Sequence, residues 1–324
     1  MIQVTNLTKR YGDKIALDNV SFTVDVGQVV GLLGLNGAGK STTMNILTGY
    51  ISVTDGAVFI GGYDIASEGG KAKRMIGYMP EQPVFYPEMR VDEHLDFICG
   101  LRGVYKDKHA RATHIGDVCA QVGISDVQRR MIRNLSKGYR QRVGFAQAVI
   151  GRPKVIILDE PTAGLDPSQI FEMRKIIKEY GRESTVIVSS HILSEIQTVC
   201  SRVIVLNEGR VIADDASERL TGEANPAHGL RLRIKGEPES VKSALLETAG
   251  VQRVEKLDKG EPGAYDYDVY GELDCDIREA VFYSLAKAEL PILTPYGSGR
   301  SLEDVFLKLT AGAGVRKETD ERDI

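Results

Sequence analysis

Tryptophan is absent from this chain, and cysteine occurs only four times, at Cys99, Cys119, Cys200 and Cys275, too far apart to make a CxxC pair. That spacing argues against a thiolate metal site and a disulfide framework, and points to a reducing compartment. Long apolar runs are missing too: "VVGLLGL" and "VIIL" fall far below the roughly 20 residues a helix needs to span a bilayer. The opening "IQVTNL" has no charged segment followed by an apolar one, so no secretory signal is expected. Nor is there a large charge of either sign, and a net charge of -4 gives no global basic footprint for nucleic acid. With 42% hydrophobic and 27% charged residues in 324, the chain is an ordinary folded protein with room for two domains, or one large domain and an appendage. If such a protein works at a membrane, another chain must do the spanning.

What is present is an alternation of strands and helices. Ile2 and Val4, and then Val20, Phe22 and Val24, alternate with polar neighbours across the turn-like "YGD", which predicts two strands. "GQVVGLLG" is an apolar strand that breaks into a glycine-rich loop, and "KSTTMNILTG" is a helix closed by Gly49. "DGAVFIGG" reads as another strand. Residues 86–134 favour helix, with Leu95, Ile98 and Leu101 spaced three apart. "KVIILDEP" looks like a parallel strand buried on both faces. In "DPSQIFEMRKIIKEYG" Asp166 is placed to cap a helix, Pro167 starts it, Gly181 ends it, and Ile170, Met173, Ile177 and Tyr180 share a face. "TVIVSSH" is a further apolar strand. The order predicts an α/β domain with a largely parallel core sheet. Near "TGEANPAHG" the pattern changes to a linker, and beyond it "LRLRI", the helix-like "PESVKSALLETAG", the strand-like "YDYDVYGE" and the helical face of "SLEDVFLKLT" predict a small α+β appendage.

Two segments carry chemistry on their own. "GLNGAGKST", Gly34 to Thr42, fits G-x-x-x-x-G-K-[ST] between a strand and a helix. Backbone N–H groups of Gly34, Leu35, Asn36, Gly37, Ala38 and Gly39 can converge on phosphate there. Lys40 can bridge the β- and γ-phosphates, and Ser41, followed by Thr42, can ligate Mg²⁺. "VIILDE" puts Asp159 and Glu160 at the carboxyl end of a buried strand, where Asp159 can hold Mg²⁺ through water and Glu160 can orient or deprotonate an attacking water. A kinase or a small GTPase uses the same two parts. Gln82 in "YMPEQP", His191 after "SS", and Asp166 in "AGLDP" are each explicable as a surface glutamine, a structural histidine and a helix cap. "LSKGYRQRV" taken alone is a helix start with Ser136 as its cap.

In their order along the chain these segments resemble the nucleotide-binding subunit of ATP-binding cassette transporters over residues 1 to about 220. The resemblance implies a P-loop NTPase cassette, with a mixed, largely parallel core sheet, an antiparallel β subdomain and a helical subdomain near 86–150. The cassette would span 1–221, with a linker at 222–229, an accessory α+β domain at 230–312 and a tail at 313–324. It implies that Tyr11 stacks on adenine, that Gln82 joins Ser41 and Asp159 around Mg²⁺, and that Glu160, His191 and Gln82 serve hydrolysis. It also implies that Leu135, Ser136, Lys137, Gly138 and Tyr139 form a signature that closes over the γ-phosphate of ATP on a second subunit, with Asp166 in the adjoining loop. Lys137 and Tyr139 depart from the common LSGGQ form. Ser136 and Gly138 keep it.

The partners so implied are a second cassette subunit, most simply a homodimer, and a separately encoded integral membrane subunit that holds the protein on the cytoplasmic face of the cell membrane. The tail ending in "SLEDVFLKLT" resembles that of bacterial exporters of the drug-resistance and gliding-motility group. The alternative is a soluble cassette ATPase acting on nucleic acid or ribosomes. Relatives of that kind usually carry two cassettes or a long coiled-coil insertion, and this chain shows neither. A P-loop kinase would leave "LSKGY" and His191 without roles.

Overall fold

The computed structural model describes residues 1–216, 229–272 and 275–296. The linker expected at 222–229, apart from Gly229, the helical face expected in 301–310 and the tail at 313–324 lie outside the described residues. The chain divides into two units, Met1–Asp215 and Ala216–Ile324.

In the first unit the alternating strands β1 (Ile2–Tyr11) and β2 (Lys14–Val24) join β4 (Asp55–Ile60) and β5 (Tyr63–Asp64) in an antiparallel sheet of order β2-β1-β4-β5. A second sheet has the order β10-β9-β3-β8-β7-β6. Its strands are β3 (Val29–Leu33), β6 (Ile76–Met79), β7 (Val155–Asp159), β8 (Thr185–Ser190), β9 (Arg202–Asn207) and β10 (Arg210–Ala216). The pairs β3–β8, β3–β9, β6–β7 and β7–β8 are parallel. Every residue of β7 and β8 is buried, as a parallel sheet covered on both faces demands.

Helix α1 (Lys40–Leu47) lies between the two sheets. Its Met44, Ile46 and Leu47 share one core cluster with Ile2, Val20 and Val58 of the antiparallel sheet and with Val30, Val155 and Ile157 of the parallel one. Each such side chain contributes about 1.5–3 kcal/mol when fully buried, so α1 is held on both sides. Because the loop before α1 leaves the C-terminal end of β3, this clamp fixes the N-terminus of α1 at the edge where ligands of parallel sheets collect.

A helical part follows β6, with α3 (Val91–Arg102), α4 (Lys108–Gln121) and α5 (Lys137–Val149) preceded by the short α2 (Gly69–Arg74). The buried face of α3 is Val91, His94, Leu95 and Cys99, whereas Leu101 is 69% exposed. A strict spacing of three drifts around a helix of 3.6 residues per turn, so Leu95, Ile98 and Leu101 do not share one buried face. Helix α6 (Pro167–Tyr180) has the expected cap, with Asp166 accepting from the Gln169 N–H at 2.9 Å, and it buries Met173, Ile176 and Ile177. Gly181 ends it with φ -63° rather than in the left-handed region. The glycine is required there by packing, since a Cβ would strike Val29. Helix α7 (Leu193–Val199) follows β8.

The second unit is an antiparallel sheet of order β12-β13-β11-β14, made of β11 (Gly229–Lys235), β12 (Val251–Glu261), β13 (Ala264–Gly271) and β14 (Ile292–Tyr296), with α8 (Pro238–Leu246) and α9 (Arg278–Lys287). Leu232, Ile234, Tyr267 and Val269 of the sheet pack with Val241, Leu245, Val281 and Leu285 of the helices. On the alternate positions, Arg231 grips Asp268 and Arg233 grips Asp266 through paired hydrogen bonds of 2.7–3.0 Å.

Strand β6 crosses α5 so closely at Gly77 that a Cβ would meet the Ala148 carbonyl and lie 2.8 Å from Pro153 Cγ. Neither backbone can yield. Gly77→Ala is therefore expected to lower the unfolding free energy by about 1–3 kcal/mol or more, read as a shift of the urea midpoint with an unchanged slope. A midpoint equal to the parent's would contradict this packing.

Candidate functional site

The loop between β3 and α1 is shaped by glycines. Gly37 and Gly39 adopt φ +85° and +107°, which other residues rarely reach. Gly39 also has no room for a side chain: a Cβ would lie 2.6 Å from Leu17 Cδ2 and 3.0 Å from the Ala16 carbonyl. The loop is thereby pressed onto β2, the strand whose Lys14 pairs with Tyr11. Tyr11 is 50% exposed, with the Lys9 ammonium 5.1 Å from its ring centre. No side chain caps the N-terminus of α1, and no acidic residue stands in its first turn. Its free N–H groups and positive dipole end suit an anion.

Lys40 is the first residue of α1 and is buried. Its ammonium donates to the carbonyls of Gly34 at 2.6 Å and Leu35 at 3.3 Å, and faces Glu160 Oε1 at 3.8 Å. Glu160 in turn meets His191 Nδ1 at 2.9 Å through its other oxygen. Asp159, one residue earlier and also buried, accepts from Ser189 Oγ at 2.5 Å, while the same hydroxyl accepts the Glu160 N–H at 2.9 Å. The structure thus brings Lys40, Asp159 and His191 together around Glu160. Glu160 holds φ +47°, a left-handed conformation that costs about 1–3 kcal/mol in a non-glycine residue.

Burial dominates the electrostatics. It pushes the Lys40 pKa down, against the attraction of Glu160 and Asp159, and pushes the Glu160 pKa up, against its hydrogen bond to His191 and the charge of Lys40. The mutual attraction offsets only part of the desolvation cost. Both groups are poised for a partner that supplies charge of the missing kind. For a divalent cation, the oxygen donors Ser41 and Asp159, with the Gln82 amide, are hard ligands of the type Mg²⁺ takes. Among the described residues no cluster of three or more His, Cys, Asp or Glu forms an all-protein cage. An ion held by one or two protein groups together with phosphate has no need of one.

Other expected residues lie apart from this cluster. Gln82 is exposed on the segment after β6, and among the described residues it shares no hydrogen bond with the four. Leu135 is buried, and Ser136 caps α5 by accepting the Tyr139 N–H at 3.3 Å. The start of α5 interlocks with the start of α6. Gly138 leaves space for the Gln169 amide, 2.5 Å from where a Cβ would stand, and Gly164, φ +68°, leaves space for the Lys137 ammonium. Tyr139 Oη donates to Asp126 at 2.8 Å, and the Arg142 guanidinium lies 5.9 Å from its ring centre. The two residues that depart from LSGGQ therefore anchor the segment to its own chain.

Sequence reasoning missed Ser189, Ser190, Thr162 and Glu195. Thr162 Oγ1 donates to Glu195 Oε2 at 2.5 Å, Ser190 Oγ donates to the same oxygen at 3.2 Å, and all three residues are buried. The available signal was two hydroxyls in "SSH" ending an apolar strand, because buried polar groups require partners.

Residues 17–163 match the family model described as ABC transporter. The chain is 34% identical over 316 residues to the uncharacterized ABC transporter ATP-binding protein YhcH of Bacillus subtilis (strain 168), covering 96% of each chain. To the linearmycin resistance ATP-binding protein LnrL of the same organism it is 31% identical over 322 residues, covering 96% of this chain and 98% of that one. The dimeric post-hydrolysis state of the ATP-binding cassette MJ0796 bound to ADP and Pi superposes with a TM-score of 0.61 at 25% identity, covering 67% of this chain and 99% of that one.

The raised pKa of Glu160 sets a stability signature. Below the ordinary carboxylate range, near 4.5, the group is protonated in both folded and unfolded chains. As pH rises through the raised folded value, the unfolded chain gives up this proton more readily, so the folded state loses stability. Glu160→Gln removes the titration. In nucleotide-free protein with EDTA, its Tm relative to the parent should rise between pH 4 and pH 7.5, and a falling difference would contradict burial as the dominant influence.

Proposed function

The chain belongs to the ATP-binding proteins of ABC transporters, and on that premise we propose that it is the ATP-hydrolysing subunit of an exporter whose membrane path is a separate chain. The observation that carries the hydrolytic reading is Glu160, held by its two carboxylate oxygens between the Lys40 ammonium at 3.8 Å and His191 at 2.9 Å. No helix among the described residues is long and apolar enough to cross a membrane. We assign residues 1–221 to the cassette and 230–312 to the accessory part. The protein sits on the cytoplasmic face of the cell membrane through the membrane subunit. Similarity to LnrL, named for linearmycin resistance, favours export of a drug-like substrate.

ATP enters with its phosphates against the glycine loop and the first turn of α1, and its adenine against Tyr11. Lys40 exchanges loop carbonyls for the β- and γ-phosphate oxygens. Ser41, Asp159 and Gln82 would hold Mg²⁺, which when bound neutralises phosphate charge. Glu160 orients water by accepting its proton as the water oxygen bonds to the γ-phosphorus, and the bond from that phosphorus to the bridging oxygen breaks to give ADP and inorganic phosphate. A neutral imidazole has a single N–H. His191 therefore serves either Glu160 or a γ-phosphate oxygen when neutral, and both when protonated.

The signature at 135–139 and Asp166 complete the site of a second copy. The solved dimeric cassette supports pairing of this kind, and the free N–H groups at the start of α5 suit the γ-phosphate of the partner's ATP.

Glu160→Gln is expected to retain ATP affinity while its turnover falls about 10²- to 10⁴-fold, because the phosphate ligands stay and only the acceptor of the water proton is lost. Lys40→Ala should instead weaken nucleotide binding itself. Steady-state hydrolysis alongside titration with a fluorescent ATP analogue separates the two. Parental turnover in Glu160→Gln would remove this residue from its role.

A further inference from the structure

We propose that Glu195 is a positioning residue for hydrolysis, a buried carboxylate that ties the segment following Glu160 to the segment carrying His191. The inference rests on the roles given above to Glu160 and His191. Glu195 stands in the first turn of α7 and is 7% exposed. An acidic residue at that position is favoured by the helix dipole alone. Its carboxylate, however, is engaged elsewhere: one oxygen, Oε2, accepts Thr162 Oγ1 at 2.5 Å and Ser190 Oγ at 3.2 Å. Hydroxyls that donate to an ionised carboxylate make some of the stronger hydrogen bonds in proteins, and without them the carboxylate would be buried at high cost.

The two donors flank the hydrolytic pair. Thr162 lies two residues after Glu160, and Ser190 lies immediately before His191. Ser190 Oγ also accepts the Ile192 N–H at 2.9 Å, which closes a local turn around His191. Glu195 fixes the direction of that turn. With the Ser190 hydroxyl hydrogen committed to the carboxylate, an oxygen lone pair faces the Ile192 N–H. On the Glu160 side the turn is held by Ala163 N–H to the Glu160 carbonyl at 3.1 Å and Leu165 N–H to the Thr162 carbonyl at 3.2 Å. The direct contact between Glu160 and His191 is thus backed by a second bridge, Thr162 to Glu195 to Ser190, that locks both backbones at once.

The test uses the full chain with Mg²⁺ and ATP, by steady-state hydrolysis, nucleotide titration and thermal unfolding, in the parent and in His191→Ala. Glu195→Ala should lower kcat about 10- to 100-fold, as small misplacements of a reacting group do, with KM and nucleotide affinity within about twofold of the parent. Glu195→Gln, which keeps an acceptor oxygen, should recover most of that loss. In the His191→Ala background, Glu195→Ala should cost little more, since residues acting through one another are not additive. Thr162→Val, which removes one donor, should lower kcat by a smaller factor, and it decides the matter if Glu195→Ala does not fold. Parental kcat in Glu195→Ala or in Thr162→Val, an equal fall in nucleotide affinity, or the full fold-loss in His191→Ala would overturn the proposal. Parental kcat beside an inactive Glu160→Gln would leave the roles of Glu160 and His191 standing.

Discussion

Strands β7 and β8 run fully buried to their C-terminal ends, where the sequence passes from Ile, Leu and Val to Asp159 and Glu160 on one strand and to Ser189, Ser190 and His191 on the other. Ionised groups in such a position are unstable unless donors and opposite charges are supplied within the fold. The first unit is organised around that demand. Ser189 serves Asp159 with its hydrogen and the Glu160 backbone with its oxygen. The clamp on α1 between the two sheets delivers Lys40 to the remaining side. The left-handed backbone at Glu160 is strain tolerated because these contacts over-determine it.

The same constraint explains what the sequence shows and what it hides. Apolar runs such as "VIIL" and the alternation in β1 and β2 reveal their strands, because burial on two faces and on one face have different periods. The glycine loop is legible because its φ angles and its contact with Leu17 exclude other residues. Strand β12 was not legible. Its apolar Val251 and Val254 are three apart, since a bulge between Val251 and Arg253 breaks the period of two. The spacing of Leu95, Ile98 and Leu101 does mark a helix, but a spacing of three tracks a helical face for only one turn, so Leu101 faces outward. Lys40, Asp159, Glu160 and His191 could be named from motif order, but neither the Ser189 hydroxyl that binds Asp159 nor the Thr162 and Ser190 hydroxyls that bind Glu195 could be. Ser189 and Thr162 are common residues whose meaning comes only from partners 30 and 33 residues away in the chain, and Ser190 takes its meaning from a buried glutamate five residues on.

Under the proposed pairing, the signature segment would keep its use although it departs from the common motif. The lysine and tyrosine that replace glycine and glutamine bind back to their own chain at the surface, Lys137 across Gly164 and Tyr139 to Asp126. Ser136 and the first-turn N–H groups are left at the surface, and Gly138 is buried under the Gln169 amide. Capping by Ser136 and contact with phosphate rest on one property, a helix end with unsatisfied donors. The loop that leads to Asp166 is locked to this helix by the paired glycines, so under the proposed pairing the starts of α5 and α6 would meet a second copy as one surface.

The central claim is that one complete ATP site needs two chains. The most direct measurement is the mass of full-length Glu160→Gln in solution, by sedimentation velocity, with ATP and with ADP, before and after adding Ser136→Arg to the same chain. The account predicts a dimer with ATP, a monomer with ADP, and a monomer under both conditions once Ser136→Arg is present, with nucleotide affinity retained. A dimer that persists with Ser136→Arg, or one that ignores the nucleotide, would contradict it.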